Sequence, residues 1–233
     1  MKTLRIHYFQ HVSFEGIAHI ETWAKKNAHA VSSTKFYKNE TLPKLDEIDW
    51  LIVMGGPMGV YDENKYPWLA SEKQFIKDAI EAGKIVIGFC LGGQLISNVL
   101  GGKVFQNKHK EVGWLPITFS DTVKEIPVFE GVKDLTVFHW HNDTFEIPEN
   151  ATLIASSEAC DNQAFVYGEK VFAFQFHMET ELASLRGMIE NCSDDCVKGG
   201  DYVQQPHEMV DKENIEENNQ LLELIFNNIA SLS

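Results

Sequence analysis

The chain has 233 residues, of which 44% are hydrophobic and 23% charged, the composition of a globular protein with enough length to bury a sizeable core. Its formal net charge of −14 argues against unassisted nucleic-acid binding and against docking on anionic membranes, which both need a basic surface. The four cysteines, at positions 90, 160, 192 and 196, form no dense disulfide framework, and Met1-Lys2-Thr3-Leu4-Arg5-Ile6-His7 lacks the apolar core of a signal peptide, so a cytoplasmic protein is expected.

Leu4 to Phe9 reads as a first strand. Phe14 to Asn27 carries Ile17, Ile20, Trp23 and Ala24 at helical spacing and reads as a helix. Ala30 to Tyr37, rich in β-branched and aromatic residues, reads as a second strand. Trp50 to Met54 is a short apolar strand that runs into Gly55-Gly56-Pro57. A helix over Trp68 to Ala82 stops at Gly83. A β-branched run, Ile85-Val86-Ile87, then meets Gly88-Phe89-Cys90-Leu91-Gly92, and a helix follows up to Gly101-Gly102. The least polar long window, 85–102, contains Gln94, Ser97, Asn98 and several glycines, and reads as a buried strand and helix rather than a membrane span. This alternation predicts an α/β fold with a doubly wound, mostly parallel sheet flanked by helices, flavodoxin-like in plan.

The middle of the chain changes character. Lys103 to Phe119, Leu135 to His141, Thr152 to Ser156, Gln163 to Tyr167 and Val171 to Phe176 all read as strands with few helices between them, so a smaller antiparallel region is expected. Glu181 to Cys192 reads as a helix, 193–206 as a loop, and Ile215 to Ala230 as an amphipathic helix. Glu208 to Glu217 reads as a solvated acidic face. There is no repeat and no domain linker, so residues 1–233 are expected to form one domain, with a helical extension over about 206–231.

Gly-x-Cys-x-Gly between a buried strand and a helix is the layout of a nucleophile elbow, with Cys where many hydrolases carry Ser. Glycines permit the sharp turn, and a helix N-terminus favours a thiolate on Cys90. The alternative is a buried Cys packed as a small hydrophobe. A Cys nucleophile needs a base and a group that orients the base. The apolar strand Val171–Phe176 delivers His177 at its carboxyl end, and Glu179 follows two residues later, on the same side if the chain stays extended. The alternative there is a strand-end His capped by a local carboxylate. Gly55-Gly56-Pro57-Met58-Gly59 follows another strand end, on the rim where ligands of such sheets bind. Backbone N–H groups of Gly56 and Leu91 could face a developing oxyanion. His139 and His141 alternate on a strand, but no Cys or carboxylate completes a familiar ligand spacing, so no metal is expected.

Together, Gly88-Phe89-Cys90-Leu91-Gly92-Gly93-Gln94, the upstream Gly55-Gly56-Pro57 and the downstream Gln175-Phe176-His177-Met178-Glu179 resemble class I (triad-type) glutamine amidotransferases. Among them, the stand-alone proteins similar to the glutaminase domain of GMP synthase match best. The resemblance covers about residues 45–185. It implies Cys90 as nucleophile on the glutamine amide, His177 as base and then acid, Glu179 as the group that orients His177, and Gly56 and Leu91 as the oxyanion hole. It places Gln94, and His141 and Asp143 of Trp140-His141-Asn142-Asp143, at the substrate. Glu111-Val112-Gly113-Trp114 resembles another family segment, to which no role is assigned. The family pattern His-Pro-Glu reads His177-Met178-Glu179 here, and Asn142 stands where a glycine is usual; neither change removes a functional group.

What the resemblance implies is a hydrolase with no cofactor that converts glutamine to glutamate and ammonia through a Cys thioester. The chain has no P-loop to activate an acceptor, so a synthetase partner subunit supplies that activity or none does. Two other readings stay open: a γ-glutamyl peptidase using the same three groups, and a regulatory subunit inactive without a partner. Cys192 and Cys196, four residues apart, read as two ordinary free thiols.

Overall fold

Two strands without a single exposed residue, β3 (Trp50–Val53) and β4 (Ile85–Phe89), form the middle of the fold. Such continuous apolar runs are what strands covered on both faces require. The structure, a computed structural model, describes residues 3–197 and 199–232. In it β1 (Arg5–Gln10), β2 (Ala30–Lys35), β3, β4 and β9 (Val171–Phe174) pair in parallel in the order β2-β1-β3-β4-β9. From β9 the sheet continues antiparallel through β8 (Ala164–Tyr167), β7 (Ala151–Ser156), β5 (Val104–Phe119) and β6 (Leu135–Phe145). The α/β class and the mixed sheet are those expected.

Helices cover both faces. On one, α1 (His19–Lys26) and α6 (Lys212–Ala230) pack together: Trp23 stacks on Trp50 at 5.6 Å, and Phe226 meets Trp23 edge-on at 5.1 Å. On the other lie α2 (Trp68–Glu81) and α3 (Leu91–Val99). Helix α3 rests directly on backbone. A Cβ on Gly92 would fall 2.0 Å from the Val53 carbonyl oxygen, and one on Gly93 would fall 2.8 Å from that of Phe174. A third apolar cluster joins Trp114, Phe138 and Trp140 of the antiparallel region to Leu185 and Met188 of α4 (Leu182–Cys192).

Several expected boundaries move. Helix α1 begins at His19, not Phe14, because 11–18 forms a loop that turns back over the sheet rim, with Ala18 at φ 42°. The expected second strand ends at Lys35 and gives way to a 3₁₀ turn, Phe36–Lys38. Strand β5 is long and irregular, its register with β6 breaking between Gln106 and Glu111. The expected loop over 193–206 contains a single turn of helix, α5 (Asp194–Val197), and Val203 bridges to Val112. No helix among the described residues is long and apolar enough to cross a membrane.

Candidate active site

Cys90 sits between β4 and α3 at φ 50°, ψ −110°, a conformation an L-residue adopts only when its surroundings force it. Gly88 and Gly92 make the turn possible: a Cβ on Gly88 would lie 2.4 Å from the Gly92 carbonyl carbon. The Cys90 N–H donates to the Phe174 carbonyl at 2.8 Å, extending the β4–β9 ladder into the elbow. Cys90 is 7% exposed and lines a cleft of about 240 Å³. It points toward the Trp140 carbonyl, 3.6 Å away.

His177 arrives from the neighbouring strand. It lies three residues past the end of β9, where its N–H donates to the Phe138 carbonyl at 2.8 Å. Its Nδ1 is 2.7 Å from Glu179 Oε1, with both side chains buried. Burial works against a charge on His177, yet Glu179 and the Cys90 side chain beside the ring raise its pKa well above the ordinary value. Nε2 is buried and closes no hydrogen bond. Gly55, at the end of the β3 segment, is where these groups meet. A Cβ there would lie 3.1 Å from His177 Cε1, 3.6 Å from Cys90 Cβ and 2.5 Å from Glu15 Oε2. Three strand ends of the parallel region thus bring Cys90, His177–Glu179 and the Gly55-Gly56 loop together. Gly56 lines the cleft, and a Cβ on it would come within 3.3 Å of Leu91 Cδ2, so the two candidate oxyanion donors are neighbours. The Leu91 N–H belongs to the first turn of α3, where helix N–H groups lack intrahelical partners.

Gln94, His141 and Asp143 all line the same cleft. Gln94 Nε2 donates to Gln175 Oε1 at 3.1 Å and approaches the Asp143 carbonyl at 3.4 Å. His141 Nδ1 donates to that carbonyl at 3.0 Å, which leaves Nε2 facing Glu111 Oε2 at 3.0 Å. Glu111 also accepts from Ser157 Oγ and from Gln163 Nε2, both at 2.7 Å. Burial opposes its charge, but His141, His139 and Ser157 hold it below the usual carboxylate range. Thus Glu111, in the segment left without a role above, braces His141 from the neighbouring strand. Ligand atoms of Glu111, His139 and His141 lie within 4.8 Å of one another, so a carboxylate does join the two alternating histidines.

The sequence missed four contributors. Glu15, on the loop after β1, lines the cleft, and burial pushes its carboxyl pKa up. His11 on the same loop binds the Gly55 carbonyl. Lys110 and Asp195 form an ion pair at the cleft wall, at 2.5 Å, and Asp195 also accepts from Trp140 Nε1 at 3.0 Å. The usable signal for His11 and Glu15 was their place just past a strand end, on the ligand rim. Reading 14–27 as one helix hid it. Cys192, read as an ordinary thiol, lines the cleft that also holds Cys90.

A family model described as glutamine amidotransferase class-I matches residues 19–194. The curated glutamine amidotransferase-like protein YfeJ of Salmonella typhimurium is 37% identical over 193 residues, which are 81% of this chain and 81% of that one. The glutamine-hydrolyzing GMP synthase of Caldanaerobacter subterraneus subsp. tengcongensis is 33% identical over 143 residues, 60% of this chain but only 26% of that longer protein. A crystal structure of a glutamine amidotransferase from Thermotoga maritima superposes with a TM-score of 0.89 at 29% identity, covering 98% of this chain and 99% of the other.

Proposed function

We propose, for a chain that belongs to the class I glutamine amidotransferase family, that Cys90, His177 and Glu179 hydrolyse the side-chain amide of glutamine to glutamate and ammonia. The observation that carries this reading is the strained Cys90 elbow facing a buried His177–Glu179 pair across one glycine.

Glu179 accepts a hydrogen bond from the Nδ1–H of His177 and so leaves Nε2 to take the Cys90 proton. The thiolate attacks the amide carbon, and the oxygen that becomes negative is received by the N–H groups of Gly56 and Leu91. The imidazolium then returns its proton to the leaving nitrogen, ammonia departs, and a γ-glutamyl thioester remains on Cys90. Water attacks the thioester with His177 again as base, releasing glutamate and restoring the thiol. Gln94 and the His141–Asp143 stretch of β6 hold the amino-acid end of the substrate.

The likeness to GMP synthase supports a synthetase partner that consumes the ammonia. An electrophilic glutamine analogue, such as a diazo ketone, tests the site without needing an acceptor. The reading expects one adduct, on Cys90, that glutamine prevents. Labelling elsewhere, or labelling that glutamine does not affect, contradicts it.

A further inference from the structure

His11 is fully buried and held on every side. Its ring packs against the stacked pair Phe36 and Trp68, with centroids 5.8 Å and 5.6 Å away, while those two rings lie 4.7 Å apart. Its Nδ1 is 2.9 Å from the Gly55 carbonyl oxygen and its Nε2 2.8 Å from Glu72 Oε1. Glu72, on α2, is fully buried too. The Gly55 carbonyl can only accept, so Nδ1 donates to it, and Nε2 faces the Glu72 carboxyl group. Burial opposes a charge on the ring, but Glu72 and the Gly55 carbonyl outweigh it and raise the His11 pKa.

The bond lands on one peptide unit. Peptide groups are planar, and none in the described chain is cis, so the N–H of Gly56 points opposite to the carbonyl of Gly55. Holding one fixes the other. Glycine at both positions leaves that peptide free to rotate, since neither residue carries a side chain that would pin it. Something else must select its orientation.

We propose that His11 and Glu72 are positioning residues for the oxyanion hole: His11 anchors the Gly55 carbonyl so that the Gly56 N–H is turned toward Cys90. The inference rests on the proposed Cys90 chemistry and deepens it. It also means that this donor is set from within the chain by the buried His11–Glu72 pair, without help from a partner.

Three readouts test it. In His11→Leu the anchor is lost, and kcat for glutamine is expected to fall about 10²–10³-fold, the range for one oxyanion donor, with KM changed less than about threefold. His11→Asn can still donate from the Nδ1 position and is expected to recover at least about tenfold of that loss. Alkylation of Cys90 by iodoacetamide, which builds no oxyanion, is expected to stay within about threefold of wild type in both variants.

An aldehyde analogue of glutamine supplies a readout without turnover. The Cys90 sulfur bonds to the aldehyde carbon, the thiol proton passes to the oxygen, and that oxygen occupies the hole. Its affinity is expected to drop with kcat in His11→Leu and to return in His11→Asn. Unchanged kcat and aldehyde affinity in His11→Leu would overturn the inference. So would an equal loss of iodoacetamide reactivity, which would mean a collapsed site. If His11→Leu does not fold, Glu72→Gln, which keeps an acceptor but removes its charge, must show a smaller loss with the same signature. If the wild type binds the aldehyde on Cys90 but hydrolyses nothing, the proposed function fails while the aldehyde comparison still decides the role of His11.

Discussion

The backbone N–H of Cys90 donates to the carbonyl of Phe174 at 2.8 Å, and His177 stands three residues beyond that carbonyl. The nucleophile candidate and the base candidate are therefore ends of adjacent parallel strands joined by one more rung of the ladder. Their relative position is set by sheet register, not by a flexible loop.

That register has a packing requirement. Gly92→Ala places a methyl carbon 2.0 Å from the Val53 carbonyl oxygen, which is backbone and cannot move aside. The expected outcome is a loss of several kcal/mol, on the order of 3 or more, measured by urea unfolding, with loss of soluble protein as the extreme case. Gly101→Ala is the control: no atom lies within 4 Å of the new carbon, although its φ of 96° makes some strain inevitable. Its cost is expected to be smaller.

The carboxylates around His177 control its proton. Glu179→Gln removes the charge and the ideal acceptor of the Nδ1 proton, and kcat is expected to fall about 10²–10⁴-fold. The acid limb of the pH–kcat/KM profile should move to lower pH, because Glu179 raises the His177 pKa and the base must be deprotonated to act. Glu15 also stabilises the charged ring across Gly55, so Glu15→Gln should shift the same limb in the same direction by a smaller amount. A pH–rate profile that stays fixed in both variants contradicts this account.

Cys90 should be the thiol that reacts first. Burial pushes Cys160 up to about 11 and Cys192 to about 11, so both remain protonated at neutral pH. Limited treatment with iodoacetamide at pH 7 followed by peptide mass mapping should find Cys90 modified well ahead of these two. Equal rates at Cys90 and Cys160 would remove the case for an activated thiol.

Acid stability follows from two histidines that stay neutral. Burial lowers the pKa of His7 to about 4 and that of His139 to about 3. In the unfolded chain both take up a proton near pH 6.5, so the native state binds fewer protons below that pH. The stability they permit is fully present above about pH 6.5 and falls as pH drops toward their native values, by roughly 3–5 kcal/mol each. His11 has the opposite sign: its raised pKa contributes stability below pH 6.5 that is lost as pH rises through its native value. Thermal unfolding between pH 7 and pH 4.5 should show a falling Tm, and His139→Phe, which cannot be protonated, should flatten part of the slope.

The core of this fold was legible because its signals are local. Continuous apolar runs at Trp50–Val53 and Ile85–Phe89 can only be buried strands or buried helix, and Gly55 and Gly83 punctuate them. The elbow and the His177 strand end could be read for the same reason. Each side chain sits within a few residues of a strand end whose hydrophobicity marks it. The supports were not legible. Glu111 becomes part of the site because the β5–β6 pairing sets it directly across from His141, a register that follows an irregularity after Gln106. Glu72 reads as the polar face of an amphipathic helix, and nothing in the local sequence announces a histidine 61 residues earlier waiting for its charge. Asp195 reaches the cleft from α5, a single helical turn inside a segment that reads as a loop, and Cys192 from the last residue of α4. Long-range pairs of buried polar groups leave no periodic trace.

The most direct test of the central claim is the release of ammonia and glutamate from glutamine by the purified protein, beside Cys90→Ala, with a γ-glutamyl dipeptide assayed in parallel. The account predicts equal amounts of ammonia and glutamate from the wild type and none above background from Cys90→Ala. Cleavage of the dipeptide with no release from glutamine would contradict the glutaminase and leave a γ-glutamyl peptidase; release that persists in Cys90→Ala would contradict the role of Cys90 itself.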